Sequence, residues 1–361
     1  MSRAPIRHLT FWLPALALAC GPALSDPVRV YVGGQLVEAE AQLTDDVVTG
    51  ELLPVLAAME VETSFAPDRH VLSATAPDGT RARALIGSNR LQVNGHTTPC
   101  SAAFQEQGAE VTGPLAEVAQ ALGCAVRLDE QERELRIAHR LTHVEATAAE
   151  GAALLYLRFS GSAKAELRHL ADPPRAYADF AGLVWRGGSE TLDLGGAGGL
   201  RRARWALFQE WPPITRVVAD LEPGARAQLS QVADRLLVLT VRPSESSGTA
   251  EPAPRLENAH IVLDPAAGGT DYGGAAGETR GKAVNLDIAI RLAVRLMDAG
   301  VLVTLTRDSD LTVSSDDRVR LANQVKADLV LTIQCGEGDA PDECGTEVRY
   351  GRQDLRALAT T

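Results

Sequence analysis

Chemistry-bearing residues are sparse in this chain, and the segment most suited to hold a reactive centre is Asp264-Pro265-Ala266-Ala267-Gly268-Gly269. A β-branched stretch, IVLD, runs into it and an amphipathic stretch, AVNLDIAIRLAVRLMDAG, follows, so an acid and a glycine turn stand at a strand-to-helix junction. Such a loop carries chemistry when it supplies a metal ligand or a nucleophile. Here it supplies the methyl groups of Ala266 and Ala267, which neither coordinate nor attack. Other catalytic patterns are missing: there is no Gly-x-Ser-x-Gly elbow, no phosphate-binding loop and no Gly-x-Gly-x-x-Gly opening a helix, and the glycine run at 195–199 reads as a hairpin or loop between strands. Cys100, Cys124, Cys335 and Cys344 have no neighbouring histidine or Cys-x-x-Cys spacing. Local disulfides (Cys100–Cys124, Cys335–Cys344) or free buried thiols are therefore favoured over a metal centre. Trp185, Trp205 and Trp211 have faces suited to sugars, although core or edge packing is the more ordinary role of tryptophan in a β-sandwich.

The elements that must position these residues fall into blocks. Arg3 and Arg7 precede an apolar run from Leu9 to Cys20, and Ala23-Leu24-Ser25 supplies small residues for cleavage, so residues 1–25 read as a secretory signal. The run is short of the ~20 residues a bilayer span needs, and Ala19-Cys20 loosely resembles a lipoprotein acylation site. Residues 26–140 contain a duplication, because Val48-Thr49-Gly50 with ELLPVLAAMEV recurs as Val111-Thr112-Gly113 with PLAEVAQALGC. Leu52, Val55 and Met59 then match Leu115, Val118 and Leu122, a helical spacing, and each helix leads toward a strand, VLSATA or ELRIAH. Residues 141–242 alternate as an antiparallel β-sandwich does, with Arg175 and Asp179 on one strand face as an expected pair. Residues 243–256 have linker composition, and 257–361 alternate strand and helix as in a mostly parallel α/β sheet.

Composition bounds the partners. The 361 residues are 45% hydrophobic and 23% charged, ordinary globular values. A formal charge of −12 without a basic stripe argues against nucleic acid.

The 264–269 junction resembles the opening of the zinc-dependent N-acetylmuramoyl-L-alanine amidases, which cleave peptidoglycan and read DPGHGG there. The resemblance implies three zinc ligands. The first, a histidine, falls on Ala267. The second, a glutamate in a stretch such as GLKEKDVNLDIA, falls on Gly281 of GETRGKAVNLDIA. The third, a histidine in SIHAN, falls on Gln334 of TIQCG. The family's catalytic glutamate lies far past the strand that here is Gly345-Thr346-Glu347-Val348, so the resemblance implies a C-terminally truncated domain. Asp264, Asn285, Arg307, Arg318 and Asn323 are then hydrogen-bonding and packing positions of a retained scaffold. In the arrangement so implied, Asp264, Asp271, Glu278 and Cys335 lie near one sheet edge as substitute ligands, but solvated loop carboxylates are the simpler reading. Cys335 should point away from the face of Gln334, and His260 begins the strand at its far end.

Two further resemblances complete the reading. Residues 26–140, with the turn Val93-Asn94-Gly95, look like the copper amine oxidase N-terminal-like stalk module. Asp172-Pro173-Pro174-Arg175 before AYADFAG is similar to the AMIN domain, an envelope-targeting module found ahead of these amidases. The expected protein is secreted to the periplasm or cell envelope, has no membrane span once mature, lacks a cofactor, and binds peptidoglycan or a cell-wall enzyme without hydrolysis. The alternatives are an active amidase that cleaves the MurNAc–L-alanine bond through an unrecognised metal site, and a truncated remnant whose last domain does not fold stably.

Overall fold

The computed structural model describes residues 26–108, 110–149, 151–244, 259–276 and 279–335. The expected signal 1–25 and nearly all of the linker 243–256 lie outside them, as do Glu278, Cys344 and everything after Cys335.

The duplicated block folds as two similar units. In the first, strands Ala41–Thr44 and Val47–Glu51 lead into helix α1 (Leu52–Ala58) and then the hairpin of Glu62–Ala66 with Val71–Thr75. In the second, Gln105–Gln107 and Glu110–Pro114 lead into α2 (Leu115–Ala121), then Ala125–Asp129 pairs with the strand Glu134–Ala149. The expected strands are therefore present, but each is preceded by an edge strand that the pattern does not announce. The units join where Gly50 faces Gly113 across an antiparallel pair. Both must be glycine: a Cβ on Gly50 would stand 2.5 Å from the Glu40 carbonyl oxygen, and one on Gly113 would stand 2.6 Å from the Phe104 ring. Leu52, Val55, Met59, Leu115, Val118 and Leu122 are all buried around Phe104, as their helical spacing requires. The Val93-Asn94-Gly95 turn joins Arg90–Val93 to His96–Pro99, with Asn94 and Gly95 both at positive φ, as a tight hairpin demands. Cys100 and Cys124 are free buried thiols, so of the two readings for this pair the disulfide is not made.

The strand Glu134–Ala149 passes out of the first block into the second. It begins in parallel pairing with Arg29–Val32 and ends in antiparallel pairing with Ala152–Phe159. Two sheets pack face to face around Leu155, Leu157, Phe159, Phe180, Val217 and Trp205. Ile214–Leu221 buries alternate residues, as a strand with one solvated face does. Arg175 and Asp179 do not pair, because residues four apart along a strand stand about 13 Å apart. Asp179 instead receives Arg216 from the neighbouring strand at 2.6 and 2.7 Å, while Arg175 stands across from Asp220. The tryptophans pack: Trp205 is buried with Trp185 edge-on to it at 6.0 Å, and Trp211 lies edge-on to Tyr31 and under the Arg136 guanidinium.

In the last block His260–Pro265 is the central strand, with parallel neighbours Leu302–Leu305 and Leu329–Ile333. Helix α3 (Gly281–Asp298) lays Leu286, Ala289, Ile290, Ala293 and Val294 into the core and ends at Gly300, which takes the positive φ that such a terminus needs. Helix α4 (Ser315–Gln324) is capped by Ser314, whose hydroxyl accepts the Asp317 N–H. Its core is shared with the sandwich, since Tyr156, Leu236 and Val238 pack with Ile261, Ile290 and Val301. No helix among the described residues is long and apolar enough to cross a membrane.

Candidate functional site

The junction opens at the C-terminal end of the central strand. Asp264 is buried there and accepts Thr306 Oγ1 at 2.6 Å, Thr332 Oγ1 at 3.1 Å and the Arg318 guanidinium. A buried carboxylate needs such partners, and three donors from three elements tie both flanking strands and α4 to one atom pair. Arg307 donates to the carbonyls of Pro265 (2.9 Å), Ala266 (3.1 Å), Lys282 (2.8 Å) and Ser309 (3.1 Å). Burial, with Arg318 close by, pulls its pKa below the ordinary guanidinium value. Arg318 also reaches the Ala267 carbonyl at 3.2 Å. Asn285 completes the frame, donating to the Ala266 carbonyl at 3.0 Å and accepting Cys335 N–H at 2.7 Å. Of the five expected scaffold residues, Asn323 alone differs, standing exposed on α4.

Two residues that the sequence reading passed over close the loop. Lys282 Nζ donates to the Gly269 carbonyl and to Asp310 Oδ2, each at 2.7 Å, and lies over the Tyr272 ring. Asp310 accepts Gly269 N–H at 2.7 Å. Burial raises the pKa of the Asp310 carboxyl, but Lys282 and the Gly269 N–H together outweigh it and hold the group below the usual range. The one signal available in sequence was a lysine directly after the glycine at the expected glutamate position.

None of the three expected ligand positions offers a donor suited to zinc. Ala267 takes a left-handed φ of 62°. Its methyl group faces Gly273, where an added Cβ would come within 2.6 Å of it. Gly281 is buried, and a Cβ there would collide with the Gly273 carbonyl oxygen, so any side chain at this position requires the 273–274 turn to move. Gln334 is exposed. The strand ends at Ile333, so Gln334 and Cys335 both lie beyond it and strand alternation does not set their directions. Asp271 is exposed, with Oδ1 accepting Gly273 N–H at 2.9 Å in a local turn. His260 stands at the opposite end of the strand, its Nε2 2.8 Å from Thr304 Oγ1. Among the described residues no group of three His, Cys, Asp or Glu side chains is placed to hold a metal ion. The described side chains at the three expected positions therefore do not fit zinc: two positions carry no donor, one of these has no room for any, and the third offers a neutral amide.

Residues 261–360 match the N-acetylmuramoyl-L-alanine amidase family. The amidase LytC of Bacillus subtilis (strain 168) is 37% identical over 90 residues, 25% of this chain and 18% of LytC. The probable cell wall amidase LytH of Staphylococcus saprophyticus is 31% identical over 109 residues, 29% of this chain and 36% of LytH. The chain thus spans well under half the length of the curated relatives it matches. The solved catalytic domain of the amidase CwlV from Bacillus (Paenibacillus) polymyxa var. colistinus shares 28% identity at a TM-score of 0.26, over 28% of this chain and 58% of that one. What the comparisons give is therefore a match of residues 261–360 to the N-acetylmuramoyl-L-alanine amidase family, with similarity to cell wall amidases confined to that segment.

Proposed function

We propose that this is a secreted cell-envelope protein whose amidase-family segment binds peptidoglycan, or a cell-wall enzyme acting on it, without cleaving it. A zinc amidase needs about three protein ligands and an open water position, so that the metal acidifies the water and polarises the scissile carbonyl. The observation that carries the reading is Gly281: a Cβ there would collide with the Gly273 carbonyl oxygen, so a glutamate at the position where the resemblance expects one fits only if that turn moves. What supports an envelope location is the family of the last segment together with the signal-like residues 1–25 and the stalk-like and AMIN-like readings of 26–140 and 141–242. The partner is the polymer that the family recognises, or a protein bound to it.

The test uses the mature chain purified from residue 26 onward. Expected results are co-sedimentation with purified sacculi, no release of muramoyl-linked peptides, and zinc far below one ion per chain. Release of such peptides that a chelator abolishes would overturn the non-catalytic reading. A chain that stays in the supernatant would overturn peptidoglycan as the direct partner.

A further inference from the structure

A groove of about 420 Å³ runs between helix α3 and the strands Glu134–Ala149 and Ala152–Phe159, where the sandwich meets the amidase-family segment. Its floor is apolar, made by Ala283, Leu286 and Ile290, which follow one another at helical spacing along α3. Its ends differ in charge. At one end Arg158, Lys282 and Arg307 meet a single carboxylate, Asp310, which Lys282 already engages. About one and a half turns along α3 stands Asp287, and Glu145 lines the groove from the strand Glu134–Ala149, opposite Tyr156. Glu145 is exposed, with His143 Nε2 at 3.7 Å and its charge felt by Arg158, while Asp287 holds Arg291, also a lining residue, at 2.9 Å with the Tyr156 hydroxyl at 3.5 Å, so Glu145 is the less engaged acid of this end. Arg158 donates Nη1 to the Asp308 carbonyl, which holds the guanidinium at the groove, and the Asp308 carboxylate that pairs with Arg235 also acts on it through space.

Lys282 and Asp287 are five positions apart on the helix, about 7.5 Å along the axis. An extended peptide rises about 3.3 Å per residue, so two or three residues bridge that distance. A lone anion such as phosphate would satisfy one end and leave the acidic end facing an apolar floor. A zwitterion of this length satisfies both and covers the floor between them. Sites of this size at domain junctions, with an apolar lining and a few placed charges, are of the kind that take small ligands.

We propose that this groove binds a di- or tripeptide with free ends, its carboxylate between Arg158 and Lys282 and its ammonium between Glu145 and Asp287. The site lies beside the degenerate loop and uses none of the three lost ligand positions. It rests on the cell-wall reading only for the source of the peptide, and its chemistry stands apart from that reading.

Calorimetry on the mature chain with tri-alanine tests it. The expected result is saturable binding that weakens at least tenfold, about 1.4 kcal/mol, when the probe is N-acetylated or C-amidated. Glu145→Gln should weaken free tri-alanine by a similar factor and leave the N-acetylated peptide unaffected. Ala283→Trp, which fills the groove from an exposed position, should abolish binding with the melting temperature unchanged. Absence of binding by the wild-type chain at millimolar peptide, or equal binding by Ala283→Trp, overturns the proposal. A chain that pellets with sacculi yet ignores tri-alanine defeats the groove alone. One that binds tri-alanine and fails to pellet defeats the peptidoglycan reading alone.

Discussion

Gly281 is a position where a side chain has nowhere to go, and this decides what mutation can and cannot restore. Returning histidine to 267, glutamate to 281 and histidine to 334 supplies three donors by type, but the second enters the Gly273 carbonyl. The triple variant is expected to fold poorly and, where folded, to carry less than about a tenth of a zinc ion per chain by elemental analysis. Stoichiometric zinc in it would show that the 273–274 turn moves freely. Gly281→Ala alone should cost roughly 1–3 kcal/mol of stability in urea titration, the ordinary range for overpacking. Asp264→Ala should cost about 3–5 kcal/mol, because it leaves the buried Arg318 guanidinium without its carboxylate. Much of this site was legible in sequence at the level of residue type: a methyl, a hydrogen atom and an amide stand where donors are expected. The obstruction was not legible, because it depends on Gly273 adopting a φ of 61° and aiming its carbonyl at the helix start. Nor were the Lys282–Asp310 pair and the loop carbonyls that Arg307 gathers, since nothing in spacing brings position 282 to position 310.

Among the elements, Glu134–Ala149 bears the most consequence, and His139 sits about a third of the way along it, where pairing passes from one block to the next. The imidazole is buried, with Nδ1 3.6 Å from Cys124 Sγ and 3.4 Å from Ser160 Oγ, and Gly161 lies so close that a Cβ there would enter the ring. Burial pushes its pKa below the ordinary histidine range, and the nearby Glu60 and Asp78 only partly oppose this. The unfolded chain takes up this proton near pH 6.5, while the folded chain resists it to lower pH. The stabilisation is therefore complete above about pH 6.5 and is lost as the pH falls below it. The urea midpoint should drop between pH 7 and pH 5, and His139→Gln should flatten that part of the profile. An unchanged slope in the variant would assign the pH dependence to other groups. Burial also pushes the Cys124 thiol up to about 12, so it stays protonated beside the histidine at neutral pH. The helices of the duplicated block were legible because their apolar residues recur at three and four. The edge strand Glu62–Ala66 was not, since its first three residues are all exposed and carry no alternation.

At the scale of the whole molecule, residues 243–256 have linker composition, yet the sandwich and the last segment on either side of them share a core. A hint lay in the sequence, since Ala152–Phe159 reads as a nearly unbroken apolar run and such a strand is covered on both faces. The composition of residues 243–256 speaks for solvent exposure of the connection and says nothing about whether the parts it connects touch. Arg235–Asp308 at 3.0 Å and Arg242–Asp298 at 3.1 Å flank the apolar contact. The two parts should unfold together in calorimetry. Ile290→Ala should lower that single transition by about 2–5 kcal/mol, the range for deleting a large buried aliphatic side chain. Two separable endotherms, with only one moved by the variant, would show that the shared core is not cooperative. The strand that joins the first two blocks has a mechanical consequence. Arg29–Val32 lies parallel to Glu134–Ile137, so tension between the chain ahead of Arg29 and the sandwich pulls these strands in opposite senses along their length. All of their ladder bonds are loaded together in shear, the geometry that resists rupture better than unzipping one bond at a time. A chain held at one end and bound to a stiff polymer at the other would meet a load with a clamp in place of a hinge.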